Sequence, residues 1–129
     1  MSVQMVVEKY ISTYRDIAHS IGRIFNICPI FILSVAALES GYGKKFKGNN
    51  LFGIEAGKSW KGEKRAFSTK EYIKDGRIIR IIDFFRVYPT VEESFFDFCK
   101  LIENLYPQRI GKYDISVCPY FVNKIIGFT

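Results

Sequence analysis

The sequence predicts a mainly helical α+β domain carrying one small β-hairpin, and three observations predict it. Apolar residues recur at three- and four-residue steps near the N-terminus and again after Thr90. An almost wholly apolar run follows Pro29, and two β-prone runs flank Asp75-Gly76. At 129 residues, 48% hydrophobic and 16% aromatic, the chain can bury one core but hardly two. No linker, repeat or biased tract interrupts it, so residues 1–129 read as one domain.

Val3, Val6, Val7, Tyr10, Ile11, Tyr14, Ile17, Ala18, Ile21, Ile24 and Phe25 form one stripe of a long amphipathic helix. Pro29 suits the first turn of a second helix, whose run IFILSVAALES is apolar on nearly every side and should cross the interior; Gly41 and Gly43 end it. From Lys44 to Trp60 the pattern breaks into Gly, Asn and Lys, with Leu51, Phe52 and Ile54 inserted, which predicts loops around a turn of helix. In AFSTKEYIKDGRIIRIIDFF, Asp75-Gly76 predicts a two-residue hairpin loop, and with that loop Glu71 faces Arg80. Thr90 with Glu93 is a capping box opening a third helix lined by Phe95, Phe98, Cys99, Ile102 and Leu105 and closed by Pro107. A last helix is expected from Pro119, stopping at Gly127.

The net charge of +6 gathers in the middle third, at Lys44, Lys45, Lys47, Lys58, Lys61, Lys64, Arg65, Lys70, Lys74, Arg77 and Arg80. Such a field attracts polyanions, whether nucleic acid, anionic membrane or acidic wall polymer, and a plain solvated face would look the same. No groove-reading helix or stacking motif supports nucleic acid. Cys28, Cys99 and Cys118 are odd in number, widely spaced and in apolar surroundings, so they read as core thiols rather than a disulfide framework or zinc site. Outside the cytoplasm a pair of them could still close. The start MSVQMVVEKY has no signal-peptide pattern, and the apolar run from Cys28 to Leu38 is too short to span a bilayer.

Metal, cofactor and Cys–His chemistry find no support, since His19 is the sole histidine and suits a surface or boundary position on the first helix. The carboxylates remain. Glu39 ends an apolar helix and is followed by Ser40 and two glycines. Desolvation by Leu38, Ala36 and Val35, together with the negative end of the helix dipole, should raise its pKa toward that of a general acid. The same position also suits a glutamate that simply emerges into solvent.

The string AALESGYGKKFKGNNLFGI, then WKG, TKEY and FFRVYPTVEESFFDF, in that order, resembles the glucosaminidase domain of glycoside hydrolase family 73, found in autolysins and in proteins of the flagellar-rod muramidase type. The match runs from about Ser34 to Phe98. It implies a lysozyme-like helical fold with a hairpin lobe over a substrate cleft, and an enzyme that cuts peptidoglycan between N-acetylglucosamine and N-acetylmuramic acid. By that resemblance Glu39 is the acid and Glu71, in TKEY, the second carboxylate, with Arg80 holding it ionised. Tyr88 falls beside the cleaved bond, or else packs in the core. Asn50 is a candidate sugar contact, and Phe52 shapes the cleft floor. Tyr42 and Trp60 are candidate stacking platforms for sugar rings, or core residues. Glu55 departs from the family pattern and rivals Glu71, as Glu63 and Asp83 do more weakly.

Two other readings stay open from sequence: a lytic transglycosylase using the same glutamate, and a non-catalytic module that only holds the glycan. The implied place of action is the bacterial cell wall, in the periplasm or outside the cell. With no export signal visible, lysis, a phage or secretion apparatus as delivery partner, or excision from a longer protein would bring the enzyme there.

Overall fold

A computed structural model describes residues 1–106, without the side chains of Thr69 and Glu71. Its elements are α1 (Val3–Phe25), α2 (Pro29–Ser40), β1 (Lys64–Tyr72), β2 (Ile78–Arg86) and α3 (Val91–Leu105). The expected Pro107 stop, the last helix and Cys118 lie outside the described residues.

The helix ends follow local chemistry. Ser2 Oγ accepts from the amide of Met5 and Thr90 Oγ1 from that of Glu93, so each satisfies an amide that the first turn leaves free. Pro29 takes the first helical position of α2. Helix α1 packs against both α2 and α3. Tyr10, Ala18, Ile21 and Phe25 of α1 meet Phe31, Ile32, Ala36 and Ala37 of α2 and Phe95, Phe98 and Cys99 of α3 in one buried cluster, joined by Leu51 and Phe52. The Tyr10 hydroxyl donates to the carbonyl of Leu33 at 2.6 Å and ties the first two helices. Helix α2 is less enclosed than its sequence suggested, because Ile30 and Leu38 stay exposed in an open groove beside α1.

The segment after α2 contains successive turns and no turn of helix. Ser40 starts it: its buried Oγ donates to the Ala36 carbonyl and accepts from the Gly43 amide. Residues 48–56 are then stitched to the base of the hairpin. The amide of Tyr88 donates to Gly48 O, Arg86 to Ile54 O and Ala56 to Phe84 O, with a bridge between Glu55 and Phe85.

Strands β1 and β2 are antiparallel, and the register corrects the expected loop. Lys70 stands opposite Arg80, and the backbone of Glu71 pairs with Ile79. The amide of Gly76 donates to Ile73 O and that of Ile73 to Arg77 O, so three residues form the loop, with Gly76 at φ +86° after the turn. Asp-Gly suits this loop as well as a two-residue one, because glycine takes the left-handed position at no steric cost. One residue of difference moves Arg80 opposite a lysine. The outer row of the hairpin, Ala66, Ser68, Lys70, Tyr72, Ile78, Arg80, Ile82 and Phe84, is exposed. Ile81, Asp83 and Phe85 of the inner row are half-buried.

Candidate active site

Glu39 lies in the last turn of α2 and lines an open cleft of about 650 Å³. Lys44, Lys45, Phe46 and Lys47 from the following turns line it, with Asn50 and Gly53 on its floor and Phe67, Ser68 and Phe85 of the hairpin opposite. Gly53 adopts φ +62°, and a Cβ built on it would lie 3.3 Å from Glu39 Oε2. The carboxylate therefore reaches across the floor onto bare backbone, which a side chain would obstruct. Glu39 itself is exposed. The apolar neighbours expected to desolvate it turn away along the helix, Ala36 into the core and Leu38 to the surface.

The remaining expected site residues fall in different places. Asn50 is at the cleft but already occupied: Nδ2 donates to the carbonyls of Ile54 and Arg86, both at 3.0 Å, and Oδ1 accepts from the Ile54 amide. Both amide protons that could have met an acetamido group are spent on backbone. Phe52 is core, stacked on Phe98 at 4.2 Å between centroids and edge-on to Phe95.

Tyr88 and Trp60 belong to a network beside the cleft, not to its lining. Tyr88 is buried, and its hydroxyl donates to Asp97 Oδ2 at 2.5 Å. Arg86 Nη1 donates to the same oxygen at 2.8 Å, its Nε to the carbonyl of Glu55, and its guanidinium lies over the Trp60 ring, 4.5 Å from the centroid. Trp60 meets Tyr88 edge-on and donates Nε1–H to the carbonyl of Glu63. Burial pushes the Tyr88 hydroxyl well above its ordinary pKa, and the bond to Asp97 pushes the same way because ionisation would set two anions together. This cluster fastens the base of the hairpin to α3. Arg86 and Asp97 were not singled out from sequence, where nothing distinguishes them from surface charges.

Tyr42 sits apart, half-exposed against Tyr10 and lining two grooves along α1 rather than the Glu39 cleft. Glu71 lies four residues beyond Phe67 along β1, about 13 Å of strand toward the loop. Glu55 is exposed and bridges Phe85, which lines the cleft. Glu63 lies 3.7 Å from Arg65, Asp83 pairs with Phe67, and His19 is exposed on α1. Among the described residues no three His, Cys, Asp or Glu side chains gather as metal ligands would, and no helix is long and apolar enough to cross a membrane. Cys99 is a buried free thiol, whereas Cys28 is disulfide-bonded, which corrects its reading as a thiol.

The described residues thus form a helical body with one hairpin and an open groove lined by the glutamate in the last turn of α2. Comparison with known proteins places that arrangement in a family. Residues 15–125 match the glucosaminidase family, described as mannosyl-glycoprotein endo-beta-N-acetylglucosaminidase, and the chain belongs to that family of glycoside hydrolases. It is 32% identical over 101 residues to the peptidoglycan hydrolase FlgJ of Vibrio cholerae, a match covering 74% of this chain and 30% of that protein. The chain thus spans less than a third of that relative. Its fold is similar to a peptidoglycan hydrolase mutant from Sphingomonas sp. A1, with TM-score 0.68, 29% identity and 82% and 74% of the two chains covered. It is also similar to the catalytic domain of the autolysin Auto from Listeria monocytogenes, with TM-score 0.67, 29% identity and 81% and 60% covered.

Proposed function

We propose that this domain hydrolyses the glycan strand of peptidoglycan between N-acetylglucosamine and N-acetylmuramic acid, with Glu39 as the general acid. The observation that carries the reading is the placement of Glu39 against Gly53 in an open cleft, where the carboxyl group can reach a leaving oxygen without displacing a side chain. An extended strand lying there would itself remove water from Glu39, supplying the enclosure that the free protein lacks. The relatives named as peptidoglycan hydrolases favour this substrate. A disulfide at Cys28 suits an oxidising compartment, as action at the cell wall requires.

Glu71 is proposed as the base that activates water from the far side of the sugar, with Glu55 as its rival beside Phe85. The distance of Glu71 along β1 from the cleft wall favours a wide carboxylate pair with room for water over the roughly 5 Å of a covalent mechanism. A route using the substrate's own acetamido oxygen would need Glu39 alone. Tyr88 is proposed as a positioning residue that acts through Asp97 and Arg86 on the hairpin base, and Trp60 as its support.

The test is digestion of purified peptidoglycan, with products identified by mass spectrometry. The wild type should release reducing N-acetylglucosamine ends and Glu39→Gln should release none. Products lighter by one water, ending in anhydro-muramyl groups, would replace hydrolysis by lytic transglycosylation. Unchanged release by Glu39→Gln would remove Glu39 from the mechanism, and binding without cleavage by the wild type would make the domain a glycan-holding module. Glu71→Gln and Glu55→Gln, each compared with wild type, separate the inverting route from the substrate-assisted one.

A further inference from the structure

The lining of the Glu39 cleft carries three cations, and Glu39 is the one acid among these residues. Lys44, Lys45 and Lys47 line it, and among the described residues none of the three has an ion-pair partner. They are held by ordered backbone. The amide of Lys45 donates to Ser40 O at 2.8 Å and that of Lys44 to Gly41 O, which fixes both lysines one turn beyond Glu39. Lys47 leans the other way, its Nζ 5.1 Å from the centroid of Phe67, and so joins the loop wall to the hairpin wall. Three ammonium groups to one carboxylate leave the cleft lining cationic where the substrate must lie. A neutral polysaccharide would leave all three unanswered.

We propose that Lys44, Lys45 and Lys47 form an anion-recognition wall of the catalytic cleft, selecting glycan strands that carry free carboxylates on their peptide stems over neutral N-acetylglucosamine polymers and over strands whose stem carboxylates are capped. The inference rests on the glycan-hydrolase reading and deepens it. Exposed ion pairs are individually weak, so discrimination comes from three acting together and falls as salt screens them. Phosphate-bearing wall polymers offer the same charge, and the substrates are chosen to keep the two sources apart.

The experiment uses the Glu39→Gln variant, so that binding is read apart from cleavage. Its affinity is measured by calorimetry for soluble glycan–peptide fragments stripped of phosphate polymers, with stem carboxylates either free or converted to neutral amides. Capping should weaken binding about tenfold. Adding K44Q, K45Q and K47Q should weaken binding of the free-carboxylate fragment by a similar factor and leave the capped fragment's affinity where it was. Adding R15Q, R23Q and K100Q, which removes equal charge from α1 and α3, should preserve the discrimination.

Equal affinity for the two fragments, no measurable binding to either, or loss of the same factor on both in the cleft triple would overturn the proposal. So would loss of discrimination in the α1 and α3 control, since the field of the whole protein would then be responsible. A glycerol-phosphate polymer that competes while capping has no effect would assign the wall to phosphate instead. Hydrolysis by the wild type is scored separately: cleavage of both fragments at one rate sinks the selectivity and leaves the hydrolase standing, whereas discrimination without cleavage does the reverse.

Discussion

Oε2 of Glu39 lies 3.3 Å from where a side chain on Gly53 would begin, and Gly53 holds a backbone angle that side chains rarely adopt. Gly53→Ala therefore combines strain of about 1–2 kcal/mol with displacement of the carboxylate. Peptidoglycan hydrolysis should fall about tenfold or more. Gly76→Ala is the matched comparison, because its φ is also positive and nothing lies within 4 Å of the added carbon. It should lose similar stability and keep its activity; equal activity losses in the two variants would show that strain, not contact with Glu39, is responsible.

Asn50→Ala removes three hydrogen bonds to the backbone of Ile54 and Arg86 at a buried position. The Ile54 amide and the Arg86 carbonyl lose their partner, while the Ile54 carbonyl keeps the Arg86 amide, at a cost of about 2 kcal/mol or more. Urea unfolding should show a lower midpoint with an unchanged slope. A rise in KM with full stability would instead make Asn50 a sugar ligand.

Raised tyrosine pKa values make the fold sensitive to alkali. Burial raises Tyr10 and Tyr88, helped at Tyr10 by neighbouring Tyr14 and Tyr42 and at Tyr88 by the hydrogen bond to Asp97. The unfolded chain ionises near pH 10, below either folded value, so this stabilisation is whole under pH 10 and is lost as pH rises beyond it. Each group should contribute about 1.4 kcal/mol per pH unit in that range. Tyr88→Phe should lessen the fall in stability between pH 10 and 11, and Tyr10→Phe with Tyr88→Phe should lessen it further. Parallel curves for all three proteins would contradict the assignment.

Burial pushes the Cys99 thiol up to about 12. At pH 8 the native protein should resist iodoacetamide at this position. Unfolding in urea without reductant should expose it, and peptide mapping should find label at Cys99 and none at Cys28, which is disulfide-bonded.

The parts of the fold legible in the sequence are those fixed by near neighbours. Apolar spacing from Val3 to Phe25, Pro29 at a first turn and Thr90 three residues before Glu93 each specify local geometry, and α1, α2 and α3 follow them. Asp75-Gly76 announced the hairpin without its register, since glycine serves two loops that differ by one residue. Glu39 could be singled out because a lone carboxylate ends an apolar run. Which of their alternatives Asn50 and Phe52 follow was not legible locally, because Asn50 bonds the Arg86 carbonyl on β2 and Phe52 stacks on Phe98 of α3, each more than thirty residues away. Likewise, the cations from Lys44 to Arg80 look alike until folding places three of them in the lining of the Glu39 cleft.

The hairpin's outer row has a practical consequence for handling the protein. Tyr72, Ile78, Ile82 and Phe84 are each at least half exposed, interleaved with Lys64, Lys70 and Arg80. Two copies meeting there would gain apolar contact and suffer like-charge repulsion, and only the second depends on ionic strength. Concentrated salt, the natural means of washing a cationic domain off an anionic support, would remove the repulsion just as the apolar faces become most adhesive. Dilution into low-salt buffer straight after elution would then keep the molecules apart.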